Sequence, residues 1–179
     1  QCGIDSTHVR EIDNTYTAQA FITTDMDDNQ ITAFHPGAMS FSHENRVEDA
    51  EGVSIGIVSP DGRDGMLEHA SQFSEANIPF IFDPGQGLPM FDGDDLLHFV
   101  EQASWVTVND YEAQLLEERT GKSPHELAEM VEALIITRGA KGSLIYTPKH
   151  RLDIPPVKAR EVIDPTGCGD AYRAGLLYG

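Results

Sequence analysis

Along this 179-residue chain, short continuous apolar runs alternate with stretches in which apolar residues recur every three to four positions. Val53 to Val58 (VSIGIV) reads as a buried strand, and the segment after it places Met66, Leu67, Ala70 and Phe73 on one helical face. The unit then repeats. Phe80-Ile81-Phe82 predicts a second strand ending at Asp83-Pro84-Gly85, followed by a helix whose stripe is Leu96, Leu97, Val100 and Ala103. Trp105 to Val108 predicts a third strand feeding a helix with Tyr111, Leu115 and Leu116, and Leu134 to Thr137 a fourth. Between these last two, Ser123-Pro124-His125-Glu126 supplies a capping residue, a proline at the first helical position and a glutamate at the third, so a helix begins near Pro124.

The flanks follow other rules. Thr15 to Asp25 and Asn29 to Phe34 are rich in β-branched and aromatic residues and are separated by the acidic tip Met26-Asp27-Asp28, which predicts a β-hairpin. Gly142 to Thr147 and Arg151 to Val157 predict two further strands around a Pro148-Lys149-His150 turn, and Val162 to Gly179 runs from a short strand through a turn into a helix opening near Gly169. Strands that are apolar without alternation, separated by helices, imply an α/β domain with a mostly parallel sheet covered on both faces. No linker or internal repeat divides it. Gln1 in place of a methionine, and a last helix of only about three turns, suggest a partial domain whose exposed core face associates unless the remaining strands are supplied.

Composition narrows the function classes. With 12 basic against 30 acidic residues, the formal charge of −18 repels nucleic acid and anionic lipid. Any nucleotide site must therefore rely on local amide dipoles, a helix N-terminus and a bound cation. No apolar stretch approaches the roughly 20 residues of a bilayer span, and the polar start lacks a signal-peptide pattern. Two cysteines, Cys2 and Cys168, make no disulfide framework, so a cytoplasmic protein is expected. The seven histidines show no metal-type spacing. Thr120-Gly121-Lys122-Ser123 is not a phosphate loop, because Leu116 stands where that motif needs glycine; it reads as a helix end followed by the next cap.

The most informative segment is Asp164-Pro165-Thr166-Gly167-Cys168-Gly169-Asp170. Its glycines permit a tight turn, and the following helix directs unpaired amides and its positive dipole end into that turn. An aspartate there can accept the proton of a hydroxyl attacking a phosphoryl group. Taken alone, the segment reads equally as a plain glycine turn with Asp170 as a cap. Cys168 is either a partly ionised thiol or a small residue the turn tolerates.

Two upstream segments occur in order with it: Asn109-Asp110-Tyr111-Glu112 and Thr137-Arg138-Gly139-Ala140-Lys141-Gly142. Together the three resemble the signatures of the ribokinase-like (pfkB) carbohydrate kinase family. The resemblance implies a three-layer α/β/α ribokinase-like fold with a mostly parallel central sheet, residues 1–179 forming one partial kinase domain and 15–36 a small β-hairpin lid. It implies ATP-dependent phosphorylation of a sugar hydroxyl, with Asp170 as catalytic base and Gly167, Cys168 and Gly169 as anion hole. By the same resemblance Thr137, Gly139, Gly142 and Asn109 bind ATP, and Glu112 holds Mg²⁺ through water. Dependence on a monovalent cation such as K⁺, and homodimer formation, stay open.

Within the family, Thr17 to Asp25 and Gln30 to Met39 resemble bacterial adenosine kinases. That implies Phe34 stacking on a purine, Gln86 contacting the acceptor, and the 5′-hydroxyl of adenosine as the target, giving AMP. Ala20 stands where adenosine-specific relatives carry a second aromatic residue. Two alternatives therefore remain: a kinase for ribose, fructose or another sugar, and a non-catalytic ligand-binding relative or inactive fragment. The family's N-terminal sugar-gripping segment and the adenine-binding segment after the signature helix lie outside these residues.

Overall fold

A computed structural model describes residues 3, 5–24, 30–161 and 167–179. It begins with an antiparallel hairpin of β1 (Gln19–Thr24) and β2 (Gln30–His35), pairing Ala20 with Phe34 and Ile22 with Thr32. Asp25–Asn29, the expected tip, lies outside the described residues, as do residues 162–166. Short 3-10 turns then lead into β3 (Gly56–Val58), α1 (Arg63–Glu75), β4 (Phe80–Phe82), α2 (Gly93–Gln102), β5 (Trp105–Asn109) and α3 (Asp110–Thr120). After these come α4 (Pro124–Ala128), β6 (Ala133–Thr137), β7 (Ser143–Tyr146), β8 (Arg151–Ile154) and α5 (Cys168–Tyr178).

Strands β3 to β8 form one sheet whose spatial order equals chain order. Strands β3 to β6 are parallel, β7 reverses, and β8 reverses again. Two strands are shorter than their sequence suggests. Pairing of β3 starts only at Gly56, opposite Phe80, because its partner β4 is itself short. Strand β8 stops at Ile154, since Pro155 and Pro156 have no amide to continue a ladder.

Because each helix returns the chain to the next parallel strand in the same sense, the crossover helices collect on one side of the sheet. There Phe80, Phe82, Val106, Val108, Leu134 and Ile136 meet Met66 and Ala70 of α1, Leu96, Phe99 and Val100 of α2, Ala113 and Leu116 of α3, and Leu127 of α4. The alternate residues Ile81, Thr107 and Ile135 are also buried, on the opposite face. Ser143 shares that face, being paired with Thr137 two residues beyond Ile135, and its hydroxyl hydrogen-bonds Tyr172 of α5 at 3.0 Å. Helix α5 is thus the third layer. Among the described residues no helix is long and apolar enough to cross a membrane.

Local signals explain the helix boundaries. The Asp92 side chain accepts from the Asp95 amide at 2.9 Å and starts α2. Asn109 and Glu112, and again Ser123 and Glu126, form reciprocal capping boxes that start α3 and α4. Gly121 closes α3 in the left-handed conformation, so Thr120–Ser123 is a helix end and a cap, as its sequence indicates.

Phe99, fully buried, stacks on Phe82 with centroids 4.4 Å apart and meets Phe91 edge-on at 5.0 Å. Truncating it leaves a cavity between α2 and the sheet. Phe99→Ala is expected to lower stability by about 3–5 kcal/mol, read as a fall in the denaturation midpoint in urea at unchanged slope. A loss below about 1 kcal/mol would show that this aromatic cluster does not organise the core.

Candidate active site

In an open parallel sheet, functional groups collect in the loops beyond the carboxyl ends of the strands. A cleft of about 620 Å³ lies there, and each parallel strand contributes to its wall. Ser59 and Pro60 follow β3, and Asp83, Gly85 and Gln86 follow β4. Asn109 to Glu112 come from the junction of β5 with α3, and Thr137 and Gly139 from the end of β6. Helix α5 adds Gly169, Asp170 and Arg173.

Seven sequence-predicted site residues therefore meet on one wall: Gln86, Asn109, Glu112, Thr137, Gly139, Gly169 and Asp170. Residues 109 and 137 are adjacent because they are register partners at the ends of β5 and β6. Gly167 and Cys168 sit at the start of α5, where Gly167 takes the left-handed backbone (φ 78°) and its carbonyl accepts from the Ala171 amide at 2.9 Å. The turn is helical from Cys168 onward, and Asp170 is in its first turn. Cys168 is exposed. The remainder of that motif, Asp164 to Thr166, lies outside the described residues.

Gly167 and Cys168 adjoin the cleft through Gly169 without lining it, and two further predicted residues are elsewhere. Gly142 is at the tight turn from β6 to β7, where a Cβ would come within 2.0 Å of the Ile154 carbonyl oxygen. Its need is close passage of β8 at φ 80°, and it does not line the cleft. Phe34 stands half exposed on β2 and is likewise absent from the cleft wall.

The Asn-x-x-Glu pair has a structural role as well. The Glu112 amide donates to Asn109 Oδ1 at 2.8 Å, while Glu112 Oε2 accepts from the Asn109 amide at 2.8 Å. The same hydrogen bonds that start α3 fix both side chains at the cleft. Burial pushes the Glu112 carboxyl above its ordinary range; the Asn109 amide opposes this, Asp83 adds repulsion, and Arg173 and Asp110 act more weakly.

Sequence reasoning missed one partnership. Arg173 Nη2 donates to Asp83 Oδ1 at 2.7 Å, and its Nε faces Asp83 Oδ2, although 90 positions separate the two residues. Burial raises the Asp83 carboxyl; the Arg173 hydrogen bond and charge pull it back, and Asp170 is close enough to push it further up. Asp83 carried a signal, as the residue at a strand's carboxyl end. Arg173 carried none beyond its place in the last helix.

Four carboxylates, Asp83, Asp110, Glu112 and Asp170, share the cleft. Among the described residues no group of three or more His, Cys, Asp or Glu side chains could hold a metal ion by itself. Such a donor set still fits Mg²⁺, which is usually held by one or two carboxylates, substrate phosphates and retained waters.

The pfkB family carbohydrate kinase description matches residues 1–179. A nucleoside kinase from Burkholderia thailandensis, solved in complex with inosine, is 54% identical with a TM-score of 0.94, covering 99% of this chain and 58% of that one. A nucleoside kinase from Methanocaldococcus jannaschii is 37% identical over 161 residues, covering 90% of this chain and 53% of its own length. An adenosine kinase from Sinorhizobium meliloti, at 21% identity and TM-score 0.71 over 94% of this chain and 56% of that one, shares the fold alone. The chain spans just over half the length of these relatives. It belongs to the pfkB family of carbohydrate kinases.

Proposed function

We propose that this chain supplies the phosphotransfer half of an ATP-dependent nucleoside kinase acting on the 5′-hydroxyl of purine nucleosides, adenosine among them, to give the 5′-monophosphate. The observation that carries this reading is the joining, in one cleft, of Asp170 and the N-terminal turn of α5 with Asn109–Glu112 and Thr137–Gly139. The nucleoside kinase similarity at 54% identity supports the acceptor class, and inosine in that relative's complex supports a purine.

In this reading Asp170 takes the proton of the 5′-hydroxyl as its oxygen attacks the γ-phosphorus in line. The amides of Gly167, Cys168 and Gly169 stabilise charge on the transferring group, which is why the turn opens a helix. Thr137, Gly139 and Asn109 hold the polyphosphate, and Gln86 orients the acceptor. Mg²⁺, when bound through water near Glu112, supplies charge neutralisation on the phosphates. The hairpin of residues 15–36 acts as the lid, and Phe34 reaches the base only when it closes.

Three outcomes test the reading in the full-length protein. Asp170→Asn is expected to lower kcat by about 10²- to 10⁴-fold with little change in KM; near-normal turnover would remove Asp170 from the role. In an ADP-release assay, adenosine and inosine are expected to exceed ribose and fructose by more than about tenfold in kcat/KM. A preference for a free sugar would overturn the acceptor assignment.

The third outcome separates the two roles of Glu112. Its raised folded-state pKa means that the ionised form is disfavoured on folding. The cost is absent in acid and develops as pH rises through the unfolded-state value toward the folded one. Glu112→Gln keeps a hydrogen-bonding cap without the charge. Its Tm at neutral pH is expected to be no lower than wild type while kcat/KM falls, whereas Glu112→Ala also forfeits about 1 kcal/mol of capping. Thermal melts beside kinetics decide it, and a Glu112→Gln variant with full activity would leave the residue a cap alone.

A further inference from the structure

Arg173 is the one cationic side chain among the described residues lining the cleft, and it faces inward toward Asp83 instead of outward to solvent. Its side chain is 18% exposed and that of Asp83 3%. A pair this enclosed is not a surface decoration, because desolvating both ions is compensated only when geometry holds them together. Arg173 lies three residues after Asp170 and four after Gly169, so all three share one helical face. The guanidinium lies directly against position 169: a Cβ on Gly169 would come within 2.6 Å of Arg173 Nη1.

The other end of the pair matters as much. Asp83 is the first residue beyond β4, immediately before the Pro84–Gln86 loop that presents Gly85 and Gln86 to the cleft. One ion pair thus ties the turn bearing Asp170 to the loop bearing Gln86. Among the described residues the other side-chain hydrogen bond from α5 to the sheet, Tyr172 to Ser143, ties the helix to β7 and not to β4.

We infer that Arg173 is a positioning residue: its forked contact with Asp83 sets the N-terminal turn of α5, and hence Asp170, at a fixed distance from the Gln86 loop. This rests on the nucleoside kinase reading for its kinetic consequence but not for its structural one. Asp83 is then the seat of the clamp, and Lys at position 173, a point charge without a planar fork, substitutes for Arg incompletely.

The test uses the full-length protein with Arg173→Lys, Arg173→Met and, because a lone buried carboxylate can unfold the chain, the charge-free pair Asp83→Asn/Arg173→Gln. Amide hydrogen exchange of residues 168–172 is expected to quicken at least about tenfold in Arg173→Met and the double variant, with α1 to α4 unchanged. In the same variants kcat is expected to fall about 10- to 100-fold with nucleoside KM within about threefold, the penalty of a displaced reacting group. Arg173→Lys is expected to fall between these and wild type. Unchanged exchange at 168–172, or exchange that quickens equally throughout the molecule, overturns the clamp. So does lost activity recovered fully per folded molecule. Absence of phosphoryl transfer in the wild type would defeat the kinase reading alone, with the exchange data still deciding the clamp.

Discussion

Register between two parallel strands underlies the whole site. Trp105 to Asn109 pairs residue by residue with Ala133 to Thr137, so the ladder ends with Asn109 beside Thr137. A slip of one position by either strand would send its own pair, Val106 and Val108 or Leu134 and Ile136, out of the helix-covered core, because side chains alternate between faces. Burial of those residues is therefore what holds the two loops level. The capping box at Asn109 and the glycine turn at 139 inherit their positions from that pairing.

Electrostatics adds a second constraint, which runs against the chain's composition. The cleft proposed to take a polyphosphate stands in a protein of net charge −18 and is itself walled by four carboxylates. Two of these, Asp83 and Glu112, are disfavoured as anions by burial, and each is steadied by a neighbour: a guanidinium in one case, a backbone amide in the other. In the proposed function, affinity for phosphate has to come from fixed dipoles and a bound cation, a demand that the glycine turns and helix start on this wall are suited to meet.

Much of this was legible in the sequence because it depends on neighbours along the chain. The strand runs, the Ser123–Glu126 cap and the segments at 109–112 and 137–142 announce themselves within a few residues of one another. What could not be read depends on distance in sequence or on closeness of backbone. Arg173 and Asp83 meet only after four strands have been laid side by side. Gly142 belongs to the segment at 137–142 that resembles the family's ATP-binding loop, and its glycine is demanded by the carbonyl of Ile154 passing behind it. Phe34 was read from a local likeness that specifies the hairpin but not where the hairpin stands relative to the cleft.

The reversal of direction at β7 separates the two ends of this part of the sheet. The turn at 138–142 opens onto the cleft, whereas the Pro148-Lys149-His150 turn, closed by the Thr147 amide donating to the His150 carbonyl at 2.8 Å, lies at the far edge. A fluorophore or affinity handle spliced into the latter would stand clear of the cleft lined by Asp83, Glu112 and Asp170, which makes that bend an attachment point for instrumenting this part of the molecule.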